Sequence, residues 1–213
     1  MITGTGAASE IDFGGLTIAF DDRVLRPRAW TLAQSQWAAD VAATAPEGRV
    51  LELFAGAGHI GLAAVAASRR ELVMVDLNPA AVELARTNVD RAGLADRVSV
   101  RHGRIDEVLD DGERFAVVVA DPPWVPSAGI GEFPDDPSIA IDGGDDGLDL
   151  ARTCCDVIAR HLLPGGTAIL QVGTSDQVRA LDEHLRQGGS GLRTAETRVF
   201  ERGVLVELRP RVT

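Results

Sequence analysis

Two side chains common in soluble proteins are missing: the 213 residues contain no lysine and no tyrosine. All 21 basic side chains are therefore arginines, set against 32 carboxylates, for a formal charge of −11. Proteins that hold nucleic acid displace its counterions with clustered cations. So acidic a chain excludes a broad footprint of that kind and leaves room only for a local basic patch. Cysteine is scarce as well. Cys154 and Cys155 are neighbours, which on a helix point about 100° apart, and two thiols cannot complete a tetrahedral metal site. They are expected to be packed thiols in a reducing compartment. His59, His102, His161 and His184 show no metal-ligand spacing, so no metal is expected. No apolar run is long enough to span a bilayer, and no secretory leader pattern opens the chain. A cytoplasmic protein with no membrane partner is expected.

A hydrophobic content of 45% can supply a packed core, and the length suits one domain over residues 1–213. Residues 1–10, rich in Gly, Ser and Thr, are expected to be flexible. Within residues 13–30, Gly15–Phe20 and Val24–Pro27 flank Asp21-Asp22 and predict a short hairpin. Trp30–Ala45 reads as a helix, with Thr31 and Gln34 at capping-box spacing. Strands then alternate with helices. Strands are expected at 49–55, 71–77, 97–103, 115–121 and 165–173, and helices at 59–68, 79–93, 105–111, 148–163 and 175–188. Segments 194–200 and 203–210 predict a closing antiparallel pair. This order implies an α/β fold, a Rossmann-like and mostly parallel sheet with helices on both faces. Ligands of such sheets bind beyond the carboxyl ends of the strands.

The first of those ends carries Gly56, Gly58 and Gly61 in G-x-G-x-x-G spacing, and Asp76 closes the next strand. Glycines let a backbone approach a nucleoside and the acid takes ribose hydroxyls, so the pattern suits either NAD or S-adenosylmethionine. Glu52 tilts the choice. A carboxylate there repels a pyrophosphate and suits a ligand with an ammonium and a sulfonium. At the end of the fourth strand stands Asp121-Pro122-Pro123-Trp124. The prolines lack N–H donors and keep carbonyl acceptors, ionised Asp121 accepts too, and Trp124 offers a flat apolar face. Together they could hold both protons of a planar –NH2 group, orient its nitrogen and stabilise positive charge developing on it.

These segments resemble the HemK-type S-adenosylmethionine-dependent protein glutamine methyltransferases, catalytic domain only, in register over about residues 13–173. The likeness is carried by "FGGLTIAFDDRVLRPRAWTL", "LELFAGAGHIG", "VDLNPAAVELARTNV", the tetrad after strand four, "DDPSIAIDGGDDGLDL" and "LLPGGTAILQVG". The family's Asn-Pro-Pro-Tyr is Asp-Pro-Pro-Trp here, and its usual Gly is Phe54. The resemblance implies a class I methyltransferase fold with S-adenosylmethionine as cofactor. Phe54, Ala55, Gly56, Ala57 and Gly58 would cradle the methionine part and Asp76, with Leu77 after it, the nucleoside. The segment around Arg104 and Ile105 would flank adenine. Asp121 would touch the cofactor and, with Pro122 and Pro123, hold the substrate nitrogen, while Trp124 would stack. A short branch of the family also implies a small activating protein partner. The glycine-rich run "IDGGDDGLDL", Ile141–Leu150, is expected both to cap the helix after it and to wall the substrate channel.

Four functions remain open on the sequence. The leading one is methyl transfer to a planar amide or amine nitrogen, with a glutamine side chain of a protein or peptide as the named case. The second moves the acceptor to adenine or a small-molecule amine, the third is an NAD(P)-dependent oxidoreductase, and the fourth a non-catalytic cofactor-binding module.

Overall fold

A computed structural model describes residues 9–211. Seven strands form one sheet in the order β5-β4-β3-β6-β7-β9-β8. The first five in the chain are β3 (Arg49–Leu53), β4 (Leu72–Asp76), β5 (Val98–His102), β6 (Phe115–Ala120) and β7 (Leu162–Val172). They run parallel, and β9 (Val204–Pro210) and β8 (Leu192–Val199) close the sheet antiparallel. The doubly wound sheet and its closing pair are as the alternation predicted. Strands β3 and β6 are buried almost throughout, as a sheet covered on both faces requires.

Helices α1 (Leu32–Thr44), α2 (His59–Val65) and α3 (Pro79–Arg91) cover one face, and α5 (Asp149–His161) and α6 (Ser175–Gln187) the other. A single turn, α4 (Ser138–Ile141), lies in the loop between β6 and α5. Successive side chains of a strand point to opposite faces. Accordingly Val117 and Val119 pack with Leu62 and Ala85, whereas Val118 and Ala120 pack with Cys154 and Ile158. The adjacent cysteines are therefore free thiols in the core.

Several local expectations are corrected. The hairpin joins β1 (Ser9–Phe13) to β2 (Leu16–Phe20) and turns at Gly14-Gly15, both at positive φ, the geometry a tight two-residue turn demands. Asp21 is buried outside it, with both carboxylate oxygens accepting from Arg23. Of the segment expected to be flexible, residues 1–8 lie outside those described, while Ser9 and Glu10 already belong to β1. Thr31 makes no capping box. Its hydroxyl donates to the Arg28 carbonyl, and Gln34 reaches into the sheet, donating to the carbonyls of Ala120 and Ile169. The capping box is instead at α6, between Thr174 and Gln177. Residues 105–111 form turns rather than a helix. So short a segment, ending on Asp110 and Asp111 against the helix dipole, has little to hold it helical.

Candidate functional site

The chain leaves β3 outward to β4 and β5, then returns to β6 on the other side of β3. That reversal opens a crevice beyond the strand ends, and the turns after Leu53, Asp76 and Ala120 all reach it. Two cavities meet there. One, about 180 Å³, is lined by Phe54, Ala55, Gly56, His59, Asp76 and Leu77 among others. The second, about 300 Å³, is lined by Trp30, Pro122, Trp124, Phe133, Gln171 and Arg202 among others. Asp121, Pro123, Arg28 and Thr31 line both, so Asp121 stands at the junction.

The turn after β3 begins with Phe54 at φ 59, the one non-glycine residue at positive φ among those described. A left-handed Phe is strained, and it lies on the cavity wall. Gly56 follows at φ 53 with open space where a Cβ would stand. Its amide donates to Asp76 Oδ2 at 2.7 Å, while Asp76 Oδ1 accepts from the Asn78 amide at 2.8 Å. Burial raises the Asp76 carboxyl above its ordinary range against those backbone bonds. Leu77, half exposed at 50%, and Ile139 of α4, at 61%, are large apolar side chains on the wall of the same cavity.

Glu52 is placed otherwise than its position in the motif suggests. It is 2% exposed, lines neither cavity, and accepts from the Gly61 amide at 2.9 Å. A Cβ on Gly61 would lie 2.3 Å from Glu52 Oε2, so the third glycine of the motif makes room for this carboxylate. Oε2 has no partner, and burial, with smaller contributions from Asp76 and Asp121, pushes the acid up to about 8. Ala57 and Gly58 are likewise buried behind the turn. Arg104 is exposed and paired with Asp106 and Glu107, and Ile105 is in the core; neither lines a cavity.

Asp121 has no hydrogen bond to its carboxylate among the described residues, and burial pushes it up to about 7. The tetrad after it is braced from behind. Gln177 donates to the carbonyls of Trp124 and Asp146 and accepts from the Gly173 amide. A Cβ on Gly173 would fall 2.3 Å from Trp124 Cε3, so the indole lies against bare backbone. The Val125 amide donates to the Ile141 carbonyl, and the Gly143 amide to the Val125 carbonyl. The glycine-rich run does not cap α5 with a side chain. Gly143 and Gly147 instead let it pack on the carbonyls of Pro123 and Trp124. Only its ends, Ile141 and Leu150, reach the cavities. The far wall comes from Phe133, Asp136 and Ala140.

Three contributors escaped the sequence reading. Arg28 lies between the cavities, its guanidinium on Asp136 at 2.6 Å. His59 lies on the wall of the smaller cavity with its ring edge-on to Phe13, and burial lowers it to about 4. Gln171 is buried on the other wall. All three lie within segments that carry the family likeness, yet only the packing of the hairpin and of β7 against the crevice singles them out.

Among the described residues no cluster of His, Cys, Asp or Glu is placed to hold a metal, and no helix is long and apolar enough to cross a membrane. The sequence pattern of the family described as "Conserved hypothetical protein 95" matches residues 22–133. The chain is 34% identical over 179 residues to the ribosomal protein uL3 glutamine methyltransferase of Bradyrhizobium diazoefficiens, covering 78% of this chain and 56% of that protein. It is 30% identical over 185 residues to the release factor glutamine methyltransferase of Clostridium acetobutylicum, covering 84% of this chain and 65% of that one. The chain thus spans less than two thirds of the length of either relative. In structure it is similar to the human methyltransferase 10 domain containing protein, with a TM-score of 0.65 at 17% identity, over 92% of this chain and 88% of the other. The likeness to glutamine methyltransferases read from the motifs therefore holds over most of the chain, and the likeness in fold extends across the sheet.

Proposed function

The chain belongs to the family described as Conserved hypothetical protein 95, and from that premise we propose that it is an S-adenosylmethionine-dependent N-methyltransferase acting on a planar amide nitrogen, such as a glutamine side chain of a protein or peptide. The observation that carries the proposal is Asp121, an unpaired carboxylate at the junction of two cavities, followed by two prolines and an indole. The residues of the smaller cavity suit the cofactor. Asp76 lies where ribose hydroxyls would be taken, Leu77 and Ile139 offer apolar surface to a base, and Arg26 supplies positive charge for a carboxylate. The methyltransferase relatives, rather than Glu52, weigh against a dinucleotide.

When bound, S-adenosylmethionine supplies a methyl group on a positively charged sulfur. The protein's own part is positional. Asp121 and the Pro122 carbonyl accept the two N–H protons of the acceptor, which fixes the plane of the –NH2 group against Trp124 and turns its lone pair toward the other cavity. As positive charge develops on nitrogen, the unpaired carboxylate stabilises it, and it is the group placed to receive the proton the nitrogen sheds. The relatives named above act on a ribosomal protein and on a release factor, and a protein or peptide acceptor is proposed here by that likeness.

Calorimetric titration of the purified chain with S-adenosylmethionine and with NAD tests the reading. Saturable binding of the first and none of the second is expected; preferential binding of NAD overturns it.

A further inference from the structure

Beside Asp121, at the end of the neighbouring strand, stands a second polar group with nothing to do. Ala120 of β6 is in register with Leu170 of β7, so Asp121 and Gln171 follow side by side where parallel strands run about 4.8 Å apart. Both point to the α1 face: Val119 and Ile169, two residues earlier on each strand, pack there, while Ala120 and Leu170 face the opposite core. Gln171 is 4% exposed, lines the larger cavity, and its amide makes no hydrogen bond with any described residue. The β8–β9 turn closes over it, with Gly203 so near that an added Cβ would meet the Gln171 amide carbon at 3.6 Å. In the same wall the Trp30 indole N–H is buried with no acceptor.

An amide on a cavity wall with no protein partner is left for whatever fills the cavity to satisfy. Gln34 of α1 spends its –NH2 group on two strand carbonyls, though its own oxygen is buried without a partner. Gln171 has the same chemistry but is turned to the cavity. We propose that Gln171 is a substrate-reading residue that donates to the carbonyl oxygen of a primary carboxamide whose –NH2 group is held by Asp121 and Pro122. This rests on the function proposed above and narrows it. An acceptor and a donor side by side match the two ends of a carboxamide, –NH2 and C=O, lying across two strand ends. A simple amine leaves Gln171 without a partner, and a carboxylate of the same shape meets Asp121 acceptor to acceptor. A site with buried polar groups rejects a ligand that leaves them unpaired far more strongly than one that only misses a contact.

The test is a binding measurement. The full chain, saturated with S-adenosylhomocysteine, is titrated with N-acetylglutamine methylamide, with the matching glutamate derivative and with adenosine, followed by the fluorescence of Trp30 and Trp124. Saturable binding of the carboxamide is expected, with the glutamate derivative and adenosine each weaker by about tenfold or more. Gln171→Leu and the isosteric Gln171→Glu are both expected to lose about tenfold or more in carboxamide affinity while S-adenosylhomocysteine binds as before. A group that merely fills space would be preserved by Gln171→Glu, so carboxamide affinity unchanged in that variant overturns the proposal. So does tighter binding of adenosine, or no saturable binding of the carboxamide. If S-adenosylhomocysteine itself fails to bind, the methyltransferase reading fails separately, and the same titrations on the chain alone still decide the carboxamide site.

Discussion

In the proposed reaction Asp121 works best as the carboxylate, and its surroundings favour the acid. With burial holding it at about 7, half of the free protein near neutrality carries the proton that blocks one acceptor. The active form is the ionised one, so kcat/KM is expected to rise with pH through about 7 and level off above it. A bound sulfonium favours the anion, so the inflection in kcat, which reports the complex, is expected at lower pH than that in kcat/KM. Asp121→Asn keeps a carbonyl acceptor but neither the charge nor the proton-accepting oxygen, and should turn over more slowly than the ionised natural chain and without the inflection. Asp121→Ala should lose about a hundredfold or more in turnover and bind S-adenosylhomocysteine as before. Methyl-transfer rates from pH 5.5 to 9 check this (a conventional range for the assay, about 1.5–2 units either side of neutrality), and an unchanged inflection in the Asn variant would remove Asp121 from the role. At this scale the tetrad, Gly56 and Asp76 were legible because spacing after a strand places them at its end. Gln171 was not. Strand alternation says which face a side chain takes, and only the fold says whether that face meets a helix or a cavity.

Elements carry the same lesson in Glu52, which binds strand β3 to the first turn of α2 through the Gly61 amide. The sequence placed this acid near the ligand; the structure puts it beneath the turn. Its neighbours in the motif concealed this, because a G-x-G-x-x-G loop reads alike whether its third glycine makes room for a ligand, a helix or a carboxylate. The order of strands and helices was readable from hydrophobic runs, whereas the hairpin turn and the caps were not, since several Asp, Thr and Gly residues in each region satisfy the same local rules. Glu52 also has a thermodynamic consequence. Its acid is raised from an ordinary 4.5 to about 8 by the fold. Between those values the folded chain holds a proton the unfolded chain releases, so this residue's contribution to stability falls as pH rises across that window. Glu52→Gln removes the titration and keeps an oxygen for Gly61. Its Tm is expected to gain on that of the natural chain as pH goes from 5 to 9, by about 2–4 °C for each kcal/mol recovered. Melting curves that stay parallel over that range would contradict it.

Across the whole molecule, the N-terminal hairpin and the sheet share one core. Phe13, Ile18 and Phe20 pack in the same cluster as Val50, Leu62 and Leu84. Asn88 of α3, wholly buried, accepts from the Ala19 amide and donates to the carbonyls of Ala19 and Ala57. One side chain thus joins the hairpin, α3 and the turn that follows β3. Removing the hairpin would strand that amide and uncover His59, which lines the crevice. Nothing in the linear sequence marks the bond, because Asn88 and Ala19 are 69 residues apart. A fold tied in this way should unfold as one unit, and a single domain is proposed on that ground. In urea, the fluorescence of Trp37, which packs between α1 and the sheet, and the far-ultraviolet circular dichroism of the helices should trace one coincident transition. Asn88→Ala should lower its midpoint, since two buried carbonyls and an amide lose their partner at about 1–3 kcal/mol for each group left unsatisfied, without splitting it in two. Two separated transitions in the natural chain would mean that the segment before α1 is a unit of its own, and the crevice would then be assembled by docking rather than by folding.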